Sequence, residues 1–189
     1  LNNLLYVIII SVLGYSFFIA IRDFSSFSHY YTFIVFIIFS TYLSSIFIKN
    51  RFSKHKCFYY QVFLACFTSI FIFGFLLPKL DKIWVSQKIY NIISKDNNRF
   101  KSKNIAVIGY NEPSLIFELG TDTTVLKSLK EDFFEKKIYR YIIVEKKYLY
   151  DFNNILKDNM YDYILLDDFE GFNMAKSKWV NMLIFKLKE

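Results

Sequence analysis

Cysteine, histidine and proline are scarce in this 189-residue chain, with two of each. Cys57 and Cys66 have no third cysteine and no nearby histidine pair at metal-ligand spacing, so the sequence predicts no zinc-type cluster. Both histidines, His29 and His55, precede the part of the chain that holds nearly all the acidic residues. The sequence therefore contains no recognisable Ser-His-Asp or Cys-His set for nucleophilic catalysis.

Glycine is also infrequent, with five residues in all. The one strand-to-turn stretch that invites comparison with a nucleotide site, GYNEPS from Gly109 to Ser114, holds one glycine followed by a proline. A dinucleotide fingerprint needs G-x-G-x-x-G so that the backbone can approach a pyrophosphate closely. That motif is absent, which argues against nucleotide binding.

Charge is nearly absent from the first 77 residues. After Pro78 come 19 of the 24 Lys and Arg residues and 16 of the 17 Asp and Glu residues, a balance of +3. No dense basic stripe with interleaved aromatic residues stands out in that charged part, although such a stripe is the usual footprint of nucleic-acid binding. The net charge of +7 therefore predicts no nucleic-acid partner.

Three long apolar runs lie in this charge-poor part of the chain, at residues 4–21, 30–48 and 58–77, and none of the three contains a charged residue. About 20 apolar residues are enough to span a bilayer as a helix, and each run contains small or hydroxyl residues of the kind found at helix contacts in membranes. These runs predict a membrane segment of three transmembrane helices over residues 1–78, with the lipid bilayer as its partner.

The connectors between the runs predict an orientation. The second connector holds four basic residues and no acid: Lys49, Arg51, Lys54 and Lys56. The positive-inside rule places such a loop in the cytoplasm. The prediction is therefore a multi-pass protein of the cell inner membrane whose C-terminal domain is periplasmic or otherwise extracytoplasmic.

The charged part predicts an amphipathic helix and connector over residues 79–103, then a small α/β domain over residues 104–189. Apolar residues recur at helical spacing from Leu80 to Asn98. Beyond them, predicted strands alternate with predicted helices, which is typical of an α/β fold with a partly parallel sheet. The predicted strands are 105–108, 141–144, 161–167 and 179–187. The predicted helices are 111–119, with Asn111 as its cap, 123–136 and 147–159.

Two polar stretches of this domain are open to two interpretations each. The run GTDTT, from Gly120 to Thr124, predicts either an N-cap for the helix over 123–136 or a polar mouth at the carboxyl end of the sheet, where α/β ligand sites usually lie. Asp167 and Asp168 lie at the end of the third predicted strand, and they are either a metal or acid–base pair or a solvated strand end.

Two stretches of the sequence carry a resemblance to a known family. IAVIGYNEPSLIFELGTDT, from Ile105 to Thr123, and EGFNMAKSKWVNMLIFK, from Glu170 to Lys186, resemble motifs near the C-terminus of bacterial polytopic glycosyltransferases. These are the protein mannosyltransferase-like enzymes of glycosyltransferase family 39, related to the 4-amino-4-deoxy-L-arabinose lipid A transferase. The resemblance implies a function that transfers a sugar from a polyprenyl-phosphate donor to a lipid or protein acceptor.

The same resemblance implies that the catalytic groups lie elsewhere. In such enzymes acidic residues of an early extracytoplasmic loop are the expected catalysts, acting as a base or holding a divalent metal. Asp23 lacks that context and is assigned no catalytic role. The chain then reads as the C-terminal part of an enzyme whose missing N-terminal membrane domain holds the catalytic residues and any divalent metal, and no cofactor or metal site is assigned here.

The resemblance also implies five candidate site residues in the domain. We expect them to form either a substrate-binding site or a structural turn: Glu112, Ser114, Thr121, Asp122 and Thr123. An alternative hypothesis stays open, in which the chain is a non-catalytic, membrane-anchored extracytoplasmic binding or assembly protein.

Overall fold

A computed structural model describes residues 2–25, 54–126, 139–159 and 161–188 of the chain. The chain divides into two compact units, Leu1–Asp81 and Lys82–Glu189.

The first unit is helical. Helix α1 runs over Asn2–Phe24 and helix α2 over Lys54–Ile70. The chain then continues as a π-helical turn, Phe71–Leu76, and a 3₁₀ turn, Leu77–Lys79. The ring of Phe17 on α1 lies 6.1 Å from the ring of Phe71, which places the end of α1 against the start of the π turn.

The prediction of three membrane-spanning helices is wrong for this structure. In the described part of the chain, no helix unites the length and the apolar composition that crossing a membrane demands. The predicted span 58–77 is interrupted, because regular α-helix stops at Ile70. The 17 residues of α2 rise about 25 Å, less than the roughly 30 Å hydrocarbon core. The predicted span 30–48 lies outside the described residues.

The second unit is a small α/β domain built on a five-stranded mixed sheet. The described strands are β1 (Ile105–Ile108), β2 (Thr124–Leu126), β3 (Tyr141–Glu145), β4 (Tyr163–Asn173) and β5 (Lys178–Leu187). The spatial order is β2-β1-β3-β5-β4. Strand β1 pairs in parallel with β2 and β3, whereas β5 runs antiparallel to both β3 and β4.

Three helices of this unit cover the two faces of the sheet. They are α3 (Val85–Asp96), α4 (Pro113–Leu119) and α5 (Leu149–Asn159). Alternate residues of a strand point to opposite faces, and the core divides accordingly. One cluster joins α3 and α4 to Ile105, Val107 and Ile143, and the other joins α5 to Ala106, Ile108 and Ile142.

Local chemistry explains the bounds of α4. Pro113 occupies the first turn, where a missing N–H costs nothing because that donor has no helical acceptor. Gly120 ends the helix with a φ of +102°, a conformation that favours glycine. The predicted short helix and its stop at Gly120 are therefore confirmed, but the N-cap position is Glu112 and not the predicted Asn111.

The other predicted elements have mixed outcomes. The amphipathic helix after Leu80 is confirmed as α3, and the first two predicted strands are confirmed as β1 and β3. The helix over 123–136 is wrong at its start, because Thr124–Leu126 is strand β2, paired with β1. Its remainder lies outside the described residues.

The last two predicted strands form one long antiparallel hairpin. Strand β4 continues to Asn173, six residues beyond the predicted end, and it pairs with β5 along its length. A bulge between Leu165 and Asp167 shifts the register within the hairpin and accounts for the irregular alternation of apolar residues there.

A close contact joins this hairpin to helix α3, and it yields a prediction. A Cβ atom added at Gly171 would overlap with Cγ2 of Val85. We expect Gly171→Ala to lower the free energy of unfolding by about 1–3 kcal/mol, because the core there has no room for the methyl group.

The test is a double-mutant cycle measured by urea denaturation. Val85→Ala removes the overlapping methyl groups, so Gly171→Ala should cost less in that background than in the wild type. Simple additivity of the two changes would contradict this view of the contact.

Candidate functional site

The carboxyl edge of the parallel strands is the place where an open α/β sheet usually binds its ligand. Strand β1 lies between β2 and β3. After β1 the chain first forms β2 on one side of it and later forms β3 on the other side. The loop after β1, from Gly109 to Glu112, and the loop after β3, which starts at Lys146, meet at this edge.

The β4–β5 hairpin reaches over the same edge. Glu145, the last residue of β3, pairs with Met182, so the first four residues of β5 extend past the end of β3. The hairpin tip at residues 174–177 therefore lies at the carboxyl edge, and the sheet brings three separate stretches of sequence together there.

Glu112 is the acceptor that joins two of these stretches, the loop after β1 and the hairpin tip. Its side chain is buried, with 9% exposure. Oε2 accepts hydrogen bonds from the Tyr110 hydroxyl and from Ser114 Oγ at 3.3 Å, and Oε1 accepts one from the backbone N–H of Ala175 at 3.3 Å. A buried carboxylate is costly unless it is hydrogen-bonded, and these three donors compensate for that cost.

Further hydrogen bonds surround this carboxylate. Ser114 Oγ lies 2.8 Å from Ser86 Oγ on α3, which ties the start of α4 to that helix. In the hairpin tip, the buried side chain of Asn173 accepts from Lys176 N at 2.8 Å. The turn that delivers the Ala175 N–H is therefore itself held in place.

Burial, followed by the neighbouring Glu112 carboxylate, raises the pKa of Tyr110 well above its ordinary value of 10.0. Tyr110 consequently stays protonated at neutral pH and remains a donor to Glu112. Tyr110 and Glu112 therefore form a donor–acceptor pair.

A groove opens beside this network, with a volume of about 560 Å³. It is lined by residues of α3 and the turn before it, of α4, and of the hairpin tip: Ile83, Trp84, Ser86, Gln87, Glu112, Pro113, Ser114, Glu118, Met174 and Ala175.

A second buried carboxylate, Glu145, lies at the same edge. Its oxygens are 2.9 Å from Lys147 Nζ and 3.6 Å from Lys178 Nζ. The hydrogen bond to Glu145 raises the pKa of Lys147. Close by, Gly109 has a φ of +85°, and a Cβ there would overlap with the Tyr148 ring, so that ring fills the space which the glycine leaves.

The five predicted site residues do not form one site. Glu112 and Ser114 lie at the carboxyl edge, as part of the network above. Thr121, Asp122 and Thr123 come after α4, just before the amino end of β2, and therefore lie toward the opposite edge. The interpretation of GTDTT as a polar mouth at the carboxyl end is wrong.

The N-cap interpretation of GTDTT is also wrong, because a strand and not a helix follows it. Thr123 N–H donates to the Gly120 carbonyl at 3.2 Å in a tight turn. Thr123 is buried, and its Oγ1 finds no hydrogen-bond partner among the described residues.

Asp167 and Asp168 lie inside β4 and not at its end. The strand continues to Asn173, so neither the strand-end interpretation nor a paired site beyond a strand describes them. In the described ranges, no group of three or more potential metal-ligating side chains comes together.

Sequence reasoning missed the residues that complete the site. Ser86 was assigned only to an amphipathic helix, and Tyr110 only to a turn. Glu145 carried a local signal, since an acid that directly follows an apolar strand is placed at the carboxyl edge. For Ala175, whose contribution is a backbone N–H, no such signal exists.

Comparison with protein-family models finds no matching family, and comparisons with curated proteins and with solved structures find no match either. The resemblance to family 39 glycosyltransferases therefore stays a prediction.

Another polar cluster lies toward the amino edge of the sheet, where Asp96 closes α3. Its carboxylate accepts from the Tyr141 hydroxyl at 2.5 Å and from Lys186 Nζ at 2.9 Å. The Tyr141 hydrogen bond and then Lys186 hold the pKa of Asp96 below its ordinary value of 3.8. Burial, helped by Asp96, raises the pKa of Tyr141 to about 12.

This cluster predicts a pH dependence of stability. Because the pKa of Asp96 is lower in the folded protein, its contribution is complete above about pH 4 and is lost as the pH falls through the folded-state pKa. We expect Asp96→Asn to cost on the order of 1–2 kcal/mol at pH 7 and much less at low pH.

Urea denaturation of wild type and variant across pH 2–7 measures the effect. Asp162→Asn, which removes an exposed ion pair with Lys188, is the matched control. It should lose stability at acidic pH to the same extent as the wild type. An equal loss for Asp96→Asn at every pH would contradict the assignment.

The Glu112 network predicts a local effect at the hairpin tip. Glu112→Ala removes the acceptor of the Ala175 N–H, and we expect hydrogen exchange at Ala175 to accelerate at least about tenfold. Glu112→Gln should retain most of the protection, because an amide oxygen still accepts and both hydroxyls can turn to accept from the amide N–H₂.

Amide exchange measured by NMR distinguishes these variants, with Glu170→Ala on the exposed side of β4 as the control. Unchanged exchange at Ala175 in Glu112→Ala would show that the tip is held by other contacts.

Proposed function

We propose that this chain is the C-terminal portion of a polytopic glycosyltransferase that transfers a sugar from a polyprenyl-phosphate donor to a lipid or protein acceptor. One observation carries the proposal. The two stretches that resemble the family are far apart in sequence, yet they meet at Glu112, which lies in the first stretch and accepts from Ala175 in the second. Two motifs that serve one site are expected to be adjacent in the fold.

The proposal assigns this chain a supporting role and not the chemistry. A general base needs a carboxylate that is free to take a proton from a substrate. Glu112 already accepts three hydrogen bonds, and Glu145 is paired with two lysines. Both carboxylates are occupied by contacts within the fold. This supports the proposal that the catalytic groups lie in the preceding part of the enzyme.

The proposed place of action follows from the donor. Polyprenyl-phosphate sugars are held in a membrane, so the enzyme's membrane domain would bind the donor. The Lys82–Glu189 unit would lie beside that domain on the extracytoplasmic side of the inner membrane. In this arrangement the carboxyl edge of the sheet would form part of the surface that binds the acceptor.

The test is an assay of the full-length enzyme that contains this chain, with a radiolabelled polyprenyl-phosphate sugar. We expect the intact enzyme to transfer sugar, and Glu112→Ala to lower the rate at least about tenfold, because loss of the hairpin contact misplaces the acceptor surface. Glu170→Ala, which alters an exposed side chain of the same hairpin, should leave the rate unchanged.

Two results would count against the proposal. Failure of the intact enzyme to use any polyprenyl-phosphate sugar would overturn the activity. Full transfer after removal of the Lys82–Glu189 unit would indicate the alternative, a binding or assembly function separate from catalysis.

A further inference from the structure

The groove beside Glu112 has the size of a small-molecule site. Its volume of about 560 Å³ falls in the range of roughly 300–1,000 Å³ typical of ligand pockets. Hydrogen bonds connect the elements that line it, because Ser86–Ser114, Ser114–Glu112 and Glu112–Ala175 join α3, α4 and the hairpin tip.

The charge of the groove limits the ligand class. Glu112 and Glu118 both line it, and the lining residues that the structure describes include no lysine and no arginine. Two carboxylates without a counter-charge disfavour a phosphate or any other anion. The groove is therefore unsuited to the phosphate end of a polyprenyl-phosphate donor, and it suits an uncharged molecule.

The walls of the groove suit a ligand with one apolar face and a polar rim. Trp84 is 44% exposed and Met174 is 60% exposed, so both present apolar surface toward solvent. Gln87 and Glu118 provide an amide and a carboxylate at the same groove. A pyranose ring has this dual character, with C–H groups that pack on an aromatic face and hydroxyls that bond to amides and carboxylates.

We propose that this groove binds an uncharged glycosyl residue. The sugar ring packs on Trp84, and its hydroxyls hydrogen-bond to Gln87 and Glu118. The choice of a glycosyl ligand rests on the proposed function, where the bound sugar belongs to the acceptor and not to the phosphate-linked donor.

The experiment uses the full 189-residue chain and tryptophan fluorescence. The chain has two tryptophans, so Trp179→Phe leaves Trp84 as the single reporter. The probes are methyl α-D-mannopyranoside, methyl β-D-glucopyranoside and methyl β-D-galactopyranoside, with mannose 6-phosphate as the anionic comparison. We expect a saturable change with at least one neutral glycoside at a Kd of about 1 mM, and binding of the phosphate at least tenfold weaker.

Variants locate the binding. Gln87→Ala and Glu118→Ala should each raise the Kd for the neutral glycoside at least about fivefold, since one hydrogen bond to the sugar is lost in each variant. Glu170→Ala, outside the groove, should bind as the wild type does. Trp84→Ala, read by saturation-transfer NMR, should abolish binding, and circular dichroism melting should show that each variant is folded.

Three outcomes overturn the inference: no saturable change with any neutral glycoside up to about 50 mM, equal binding of mannose 6-phosphate, or wild-type binding in folded Trp84→Ala. The outcome is separate from that of the transferase assay. Binding without transfer would overturn the proposed activity alone, and transfer without binding would overturn the groove assignment alone.

Discussion

The buried carboxylate of Glu112 connects the loop after β1 and the start of α4 to the tip of the β4–β5 hairpin, 63 residues further along the chain. Its three donors come from the loop after β1, the first turn of α4 and the tip of the β4–β5 hairpin. A charge removed from water must find donors or destabilise the fold. The loop, the helix start and the hairpin tip are therefore coupled, because each supplies part of what the carboxylate requires.

The mixed sheet makes this coupling feasible. In a purely parallel sheet the carboxyl edge would carry only the loops that follow each strand. Here β5 runs antiparallel to β3 and begins beyond its end, so the hairpin brings a turn over the same edge. The groove that we assign to an uncharged sugar exists because that turn, helix α3 and the start of α4 form its three sides.

Charge divides the carboxyl edge into two parts of different character. Around the groove, the carboxylates of Glu112 and Glu118 lie among apolar and uncharged residues. On the side of β3, Glu145 is buried with Lys147 and Lys178 as its ion-pair partners. An anionic ligand is disfavoured at the first and would compete with Glu145 for lysines at the second. Because of this separation of charge, we propose that the groove binds an uncharged sugar of the acceptor and not the phosphate-bearing donor.

The sequence by itself determined those elements whose cause is local. Strand β1 follows from four consecutive apolar residues, and α4 follows from Pro113 at its start and Gly120 at its end. Helix α3 follows from apolar residues at helical spacing. Glu112 and Ser114 could be selected as candidates, because they lie within a recognisable stretch directly after a strand.

Only the tertiary structure decided the rest. Thr124–Leu126 becomes a strand because β1 offers it a parallel partner, a tertiary pairing that overrides the helix predicted to start at these residues. The α-helix gives way to a π-helical turn directly after Ile70, within an apolar run that by its length and composition predicts a continuous membrane span. The contact between Glu112 and Ala175 joins residues 63 positions apart through a backbone N–H. Every residue except proline has that group, so no side-chain pattern could have predicted it.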